Sequence, residues 1–169
     1  MFNNNKLLEP KEIIQFLILA LMSGVAGISP RRSLDYADLK IRNFDKETDN
    51  YYSNGKMVFN KYKTFKVYGR SVVDVKTKSP LLNSIIKKWI KINQNDYLLF
   101  GDTNKQLSVS QLTKINNNIW GGIKVSCDLY RHIFLTNFYS GTMPTLADMD
   151  ALSKEMGHSI STALQYIKH

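Results

Sequence analysis

A single cysteine, Cys127, stands among 169 residues, so no intrachain disulfide can staple the chain. It lies in an apolar, helix-like run and reads as a small core residue rather than a nucleophile. Only three histidines accompany it, and their spacing matches no zinc-ligand pattern. Neither a metal nor a cofactor is expected. A long apolar run is missing too. The most apolar stretch, Ile13 to Met22, is broken by Gln15 and is too short to cross a bilayer. The N-terminus has neither the basic start nor the small-residue cleavage site of a secretory signal. These absences together lead us to expect a soluble, intracellular protein of a reducing compartment. Acidic residues are in the minority, 14 against 23 Lys and Arg, for a net charge of +9. An excess of that size points to a polyanionic partner, nucleic acid before membrane.

What the sequence does contain is an ordinary globular composition, 43% hydrophobic and 22% charged, in a length that buries one sizeable core. With no internal repeat and no domain boundary, residues 1–169 are expected to form one domain of α+β class. Pro10 suits a first helical position, and an apolar helix follows to Ser23-Gly24. Ser29-Pro30 reads as the start of another helix, with Arg31 and Arg32 in its first turn. The helix dipole disfavours cations there, so some other demand places them. A small antiparallel sheet of three or more strands is expected near residues 39–75. Its signals are Leu39-Lys40-Ile41, a hairpin turning at Ser53-Asn54-Gly55, and a second turn at Tyr68-Gly69-Arg70 between residues 64–67 and 71–75.

Helices dominate the rest. Ser79-Pro80 starts one with Leu81, Leu82, Ile85, Ile86, Trp89 and Ile90 on one apolar face and Lys87, Lys88 and Lys91 opposite. Ser108 and Gln111 have capping-box spacing, and Gly121-Gly122 stops the helix that they begin. Residues 126–140 form another, with Leu129, Ile133 and Phe134 read as inward. Thr145 opens a further helix that Gly157 ends, and Ser159 or Ser161 can cap a last short one carrying Tyr166.

The last third of the chain concentrates chemistry: Asp128, Arg131 and His132 within one turn, then Gly157-His158-Ser159, then Tyr166. An arginine presents a planar fork to phosphate oxygens, a histidine adds a hydrogen bond, and a tyrosine oxygen can attack phosphorus. Upstream stand Arg32-Ser33-Leu34-Asp35 and Tyr62-Lys63-Thr64. No one of these is diagnostic alone; their joint occurrence in this order carries the argument.

That order resembles the catalytic domain of tyrosine recombinases, the phage-integrase family, and is most similar to the integrases of DNA viruses and mobile elements. The resemblance spans about Pro10 to His169. It implies that Arg32 and Arg131 clamp the scissile phosphate of double-stranded DNA, with His158 adding a hydrogen bond. Tyr166 would attack to give a 3′-phosphotyrosine and a free 5′-hydroxyl, and Lys63 would protonate the leaving oxygen, with Lys61 and Lys66 close by as alternatives. Asp35 would orient Arg32. The ester keeps the bond energy, so neither ATP nor a metal is required. Viral genome integration is one expected use. Type IB topoisomerase-like relaxation and an inactive DNA-binding module of the same fold are the alternatives.

Two departures from the family pattern stand out. Asp128 occupies the position, three before the second arginine, where the family usually has His or Lys. It is either a base for the tyrosine proton or a structural partner of Arg131, and His132 is the neighbouring candidate base. The N-terminal helical domain usual in the family is not in this chain, and only three residues follow Tyr166. The expectation is a catalytic fragment, monomeric in isolation, from a protein that forms a tetramer on DNA.

Overall fold

The structure, a computed structural model, describes residues 9–101, 105–141 and 144–165. Helix α1, Pro10–Ser23, begins where the sequence indicates: Pro10 is its first residue, and Glu9 and Glu12 form a reciprocal capping box. It ends at Gly24 in the left-handed conformation, φ 81°. Ile14, Leu17, Ile18 and Leu21 form the buried stripe that anchors it in the main core.

The next helix, α2, is Ser33–Ala37, with Arg32 as its N-cap. The expected start, with Ser29 as cap and Pro30 as first residue, is therefore displaced by three residues. The backbone reason lies at Arg31. Its N–H goes to the Tyr36 hydroxyl at 3.2 Å and its carbonyl accepts from Cys127 Sγ at 3.1 Å, so neither enters a helical ladder.

The sheet has four strands in the order β1-β2-β3-β4: Leu39–Lys40, Asn50–Ser53, Lys56–Phe59 and Ser71–Asp74. Asn54 and Gly55 turn the β2–β3 hairpin with φ of 51° and 82°, the two positive values that a tight primed turn needs. β3 and β4 are also antiparallel, with Met57 opposite Val73 and Phe59 opposite Ser71. β1 pairs parallel with β2, so the sheet is mixed rather than antiparallel throughout. Residues 64–67 do not form the expected strand. Phe65–Tyr68 is a single helical turn, α3, in the β3–β4 connection. β4 occupies the edge of β3, and with Phe65 37% and Val67 74% exposed this segment has no apolar face for a strand to bury.

After the turn α4, Val75–Lys78, helix α5, Pro80–Ile92, turns Leu82, Ile86 and Trp89 inward, leaving Lys87, Lys88 and Lys91 in solvent, and Leu81, expected on the apolar face, is 73% exposed in the first turn. Helix α6, Val109–Ile119, has the capping box of Ser108 and Gln111. Helix α7, Cys127–Ser140, corrects the expected face: Tyr130, Arg131 and Leu135 are buried, whereas Leu129 and Ile133 are 43% and 51% exposed. A polar demand favours this face: the Tyr130 hydroxyl donates to Asn116 of α6 at 2.7 Å.

Helix α8, Leu146–Met156, has a capping box of Thr145 and Asp148 and stops at Gly157, φ 68°. Helix α9, Ile160–Gln165, is capped by Ser159, whose Oγ accepts from Thr162 N at 3.2 Å. It seats Ala163 in a second, smaller core with Leu135, Leu152 and Met156. Among the described residues no helix is long and apolar enough to cross a membrane.

Candidate active site

Gly157 is the point at which the separate segments meet. Its position follows from the end of α8: Gly157 N–H donates to Lys154 O at 3.2 Å and His158 N–H to Ser153 O at 3.0 Å, which closes the helix and turns the chain sharply. The Gly157 carbonyl then accepts from Arg32 Nη1 and from Thr64 Oγ1, both at 3.0 Å. One oxygen thus ties the start of α2, the Lys63 loop and the α8–α9 junction together.

His158 follows directly and is 1% exposed. Its Nδ1 lies 3.1 Å from the Ser159 carbonyl, which can only accept, so the proton of the neutral ring sits on Nδ1 and Nε2 is the acceptor. Burial first, then the charge of Arg131 and that of Arg32, push its pKa down to about 4. Those two arginines come from α7 and from the start of α2. That both act on one imidazole means their charges converge there, although the residues are far apart in sequence.

Arg131 is 1% exposed and its Nη1 lies 3.3 Å from Asp128 Oδ1, while the Asp128 side chain is 71% exposed on the outer side of α7. His132, next on the helix, is half-buried.

Asp35 departs from its expected role. Its carboxylate pairs with Arg31 Nε at 2.9 Å in a fully buried ion pair, not with Arg32. Burial raises its pKa, opposed chiefly by Arg31, with Arg32 and Arg131 also lowering it. Arg32, half-exposed, is turned instead toward Gly157.

Lys63 is exposed in the turn before α3. Its loop is held on both sides: Thr64 bonds Gly157 O, and the Tyr62 hydroxyl donates to Gly69 O at 2.7 Å. Of the neighbouring lysines, Lys61 pairs with Asp38 at 3.2 Å, and Lys66 is exposed on α3. Among the described residues Lys63 has no ion-pair partner. Tyr166 lies outside the described residues.

The sequence assigned no site role to Arg31, Thr64 or Ser71. Arg31 carried one usable signal, a cation at an expected helix start where the dipole disfavours it. Thr64 and Ser71 carried none, because a lone hydroxyl between a helix and a sheet looks like any other.

The sequence matches no protein-family model and no curated protein. In structure it is similar to XerA recombinase, with a TM-score of 0.61 and 15% identity over 98% of this chain and 61% of that one. It is also similar to the XerH site-specific recombinase bound to difH substrate in a pre-cleavage complex, at TM-score 0.59 and 19% identity over 97% of this chain and 45% of that one. A lambda integrase dimer bound to a COC′ core site gives TM-score 0.56 and 12% identity over 94% of this chain and 42% of that one. The chain thus spans less than two thirds of each of these proteins. At such identities the likeness is one of fold: the chain has the fold of tyrosine recombinase catalytic domains.

Proposed function

We propose that this chain is the catalytic domain of a site-specific recombinase or integrase that cuts and rejoins double-stranded DNA through a covalent 3′-phosphotyrosine. The observation that carries the reading is the convergence of Arg32, Arg131 and neutral His158 around the Gly157 turn, on a recombinase fold. Two guanidinium groups in a largely buried setting suit a phosphodiester whose negative charge grows in the pentacoordinate transition state. His158 donates to phosphate through Nε2 once its ring takes up a proton, which an adjacent phosphate anion favours. Tyr166 is the nucleophile, six residues beyond the α9 start at Ile160. Lys63, exposed on a loop held against the same turn, protonates the leaving 5′ oxygen. The role of Asp128 is to hold Arg131, which leaves a base elsewhere to receive the tyrosine proton. On DNA the domain acts as an assembly of copies.

The deciding experiment is covalent trapping on duplex DNA nicked beside the cleavage point, so that the short 5′ strand diffuses away and religation stops. The wild-type chain should form an adduct, and mass spectrometry should place it on Tyr166. Tyr166→Phe should abolish it while DNA affinity and melting temperature stay nearly unchanged. An adduct on another tyrosine, or one that persists in Tyr166→Phe, sinks the assignment. A trapped adduct without strand exchange, but with loss of supercoils, favours topoisomerase-like relaxation instead.

A further inference from the structure

Arg31 is 0% exposed, and its atoms reach every segment that carries a proposed catalytic group in the described chain. Nε pairs with Asp35 of α2 at 2.9 Å. Nη1 donates to Ser71 Oγ of β4 at 3.2 Å and to the Glu155 carbonyl of α8. The guanidinium carbon stands 4.1 Å from the centroid of the Phe59 ring on β3 and 4.8 Å from that of Tyr62. The Arg31 carbonyl accepts from Cys127, the first residue of α7. Nη2 lies against Gly157, where an added Cβ would sit 2.8 Å away.

These contacts align with the site. Arg32 is the adjacent residue, Lys63 follows Tyr62, His158 lies one turn past Glu155, and Arg131 lies one turn past Cys127. A buried guanidinium has a fixed fork and cannot slide along its partners as an ammonium can, so it imposes geometry on whatever it bonds. With no exposure to solvent, it presents no surface to a phosphate in this conformation.

We propose that Arg31 is a positioning residue: it holds the segments bearing Arg32, Lys63, Arg131 and His158 in mutual register for phosphoryl transfer, without itself touching DNA. The proposal rests on the DNA-cleavage reading above.

The test measures three quantities on the full chain: adduct formation rate at saturating nicked duplex, DNA affinity as a function of salt, and thermal melting. Arg31→Met combined with Asp35→Asn removes both buried charges, so neither is stranded without its partner. We expect this variant to bind duplex within about 3-fold of wild type, and its adduct rate to fall by about 100-fold or more, the scale of effect that misplacing reacting groups produces. The slope of log affinity against log salt should stay at the wild-type value, whereas Arg32→Met should reduce its magnitude by about one, the loss of one phosphate contact. An undiminished adduct rate overturns the proposal. So does a salt slope that drops by about one, since Arg31 would then be a phosphate ligand, and so does an affinity that falls in parallel with the rate. If the double variant does not melt cooperatively, Ser71→Ala decides. It removes one partner of the fork and should slow adduct formation about 5-fold at unchanged affinity, the worth of one hydrogen bond; an unchanged rate overturns the proposal. A wild-type chain that forms no adduct at all overturns the cleavage reading and this inference with it. An adduct in wild type that persists at full rate in the variants sinks this inference alone.

Discussion

His158 is the residue at which the electrostatics of the site become measurable. Its folded-state pKa of about 4 lies below the ordinary value of 6.5, so the folded chain holds the ring neutral while the unfolded chain takes up a proton. The sign follows directly: between these two values the unfolded state binds more protons, and stability falls as the solution is acidified. The loss begins below about 6.5 and reaches on the order of 3 kcal/mol at most by the time pH has fallen to about 4. Melting curves of wild type and His158→Gln across this range should converge on acidification, because only the wild type has this proton to exclude. A constant gap between the two curves would show that His158 titrates normally in the folded protein. Arg131 tests the neighbouring charge. Arg131→Lys keeps the charge but loses the planar fork, so adduct formation should fall by at least about 100-fold, the scale seen when one preorganised donor is removed. A large drop in melting temperature instead would assign Arg131 to folding.

At the scale of elements, the turn between α8 and α9 and the loop between β3 and β4 act as a pair. Gly157 is in the left-handed region at φ 68°, and a Cβ there would lie 2.8 Å from Arg31 Nη2 and 3.2 Å from the Tyr62 ring. Gly157→Ala therefore meets backbone strain and two side-chain collisions together, and should destabilise the chain by about 1–3 kcal/mol in denaturant titrations. An effect of a few tenths would mean that the α8–α9 turn relaxes freely. The loop side is tested through its lysine. A 5′-bridging sulfur makes a good leaving group that needs little protonation, so Lys63→Ala should be slow on ordinary DNA and largely rescued on the sulfur substrate. Equal impairment on both would move the acid role to Lys61, Lys66 or another group. The ion pair of Lys61 with Asp38 makes Lys61 the less available of these two neighbours.

The whole molecule carries a net charge of +9, with Lys87, Lys88 and Lys91 in solvent on one face of α5 and Lys63 exposed beside the candidate site. Binding to duplex DNA should therefore weaken steeply with salt as counterions are released from the phosphates, by roughly 10-fold or more between low and moderate ionic strength. Affinity that does not change over that range would count against phosphate contacts as its main source.

Local signals were legible in the sequence wherever the chain's own neighbours determine structure. Pro10, the Ser108 and Thr145 caps, Asn54-Gly55 and Gly157 each punctuate an element, because capping and positive φ are satisfied within a few residues. The α+β class and the charge excess were readable for the same reason, as sums over local composition and pattern. Candidate site residues were legible as an ordered set, Arg32, Lys63, Arg131, His158 and Tyr166, carried by resemblance. Tertiary structure alone decided what those residues touch. The resemblance implied Asp35 as a partner of Arg32, yet burial beside Arg31 makes Arg31 its ion-pair partner. Leu129 and Ile133 looked inward by hydrophobicity, yet α7 rotates to bury Tyr130 and Arg131, and the Tyr130 hydroxyl finds its partner, Asn116, inside. Residues 64–67 looked like a strand, yet the edge of β3 was already taken by β4. For α7 and for residues 64–67 a contact from elsewhere in the chain outweighed a local preference, and for Asp35 burial chose between two neighbouring arginines. A buried charge or an open sheet edge is satisfied by whatever the fold brings to it, and nothing in the neighbouring sequence records what that is.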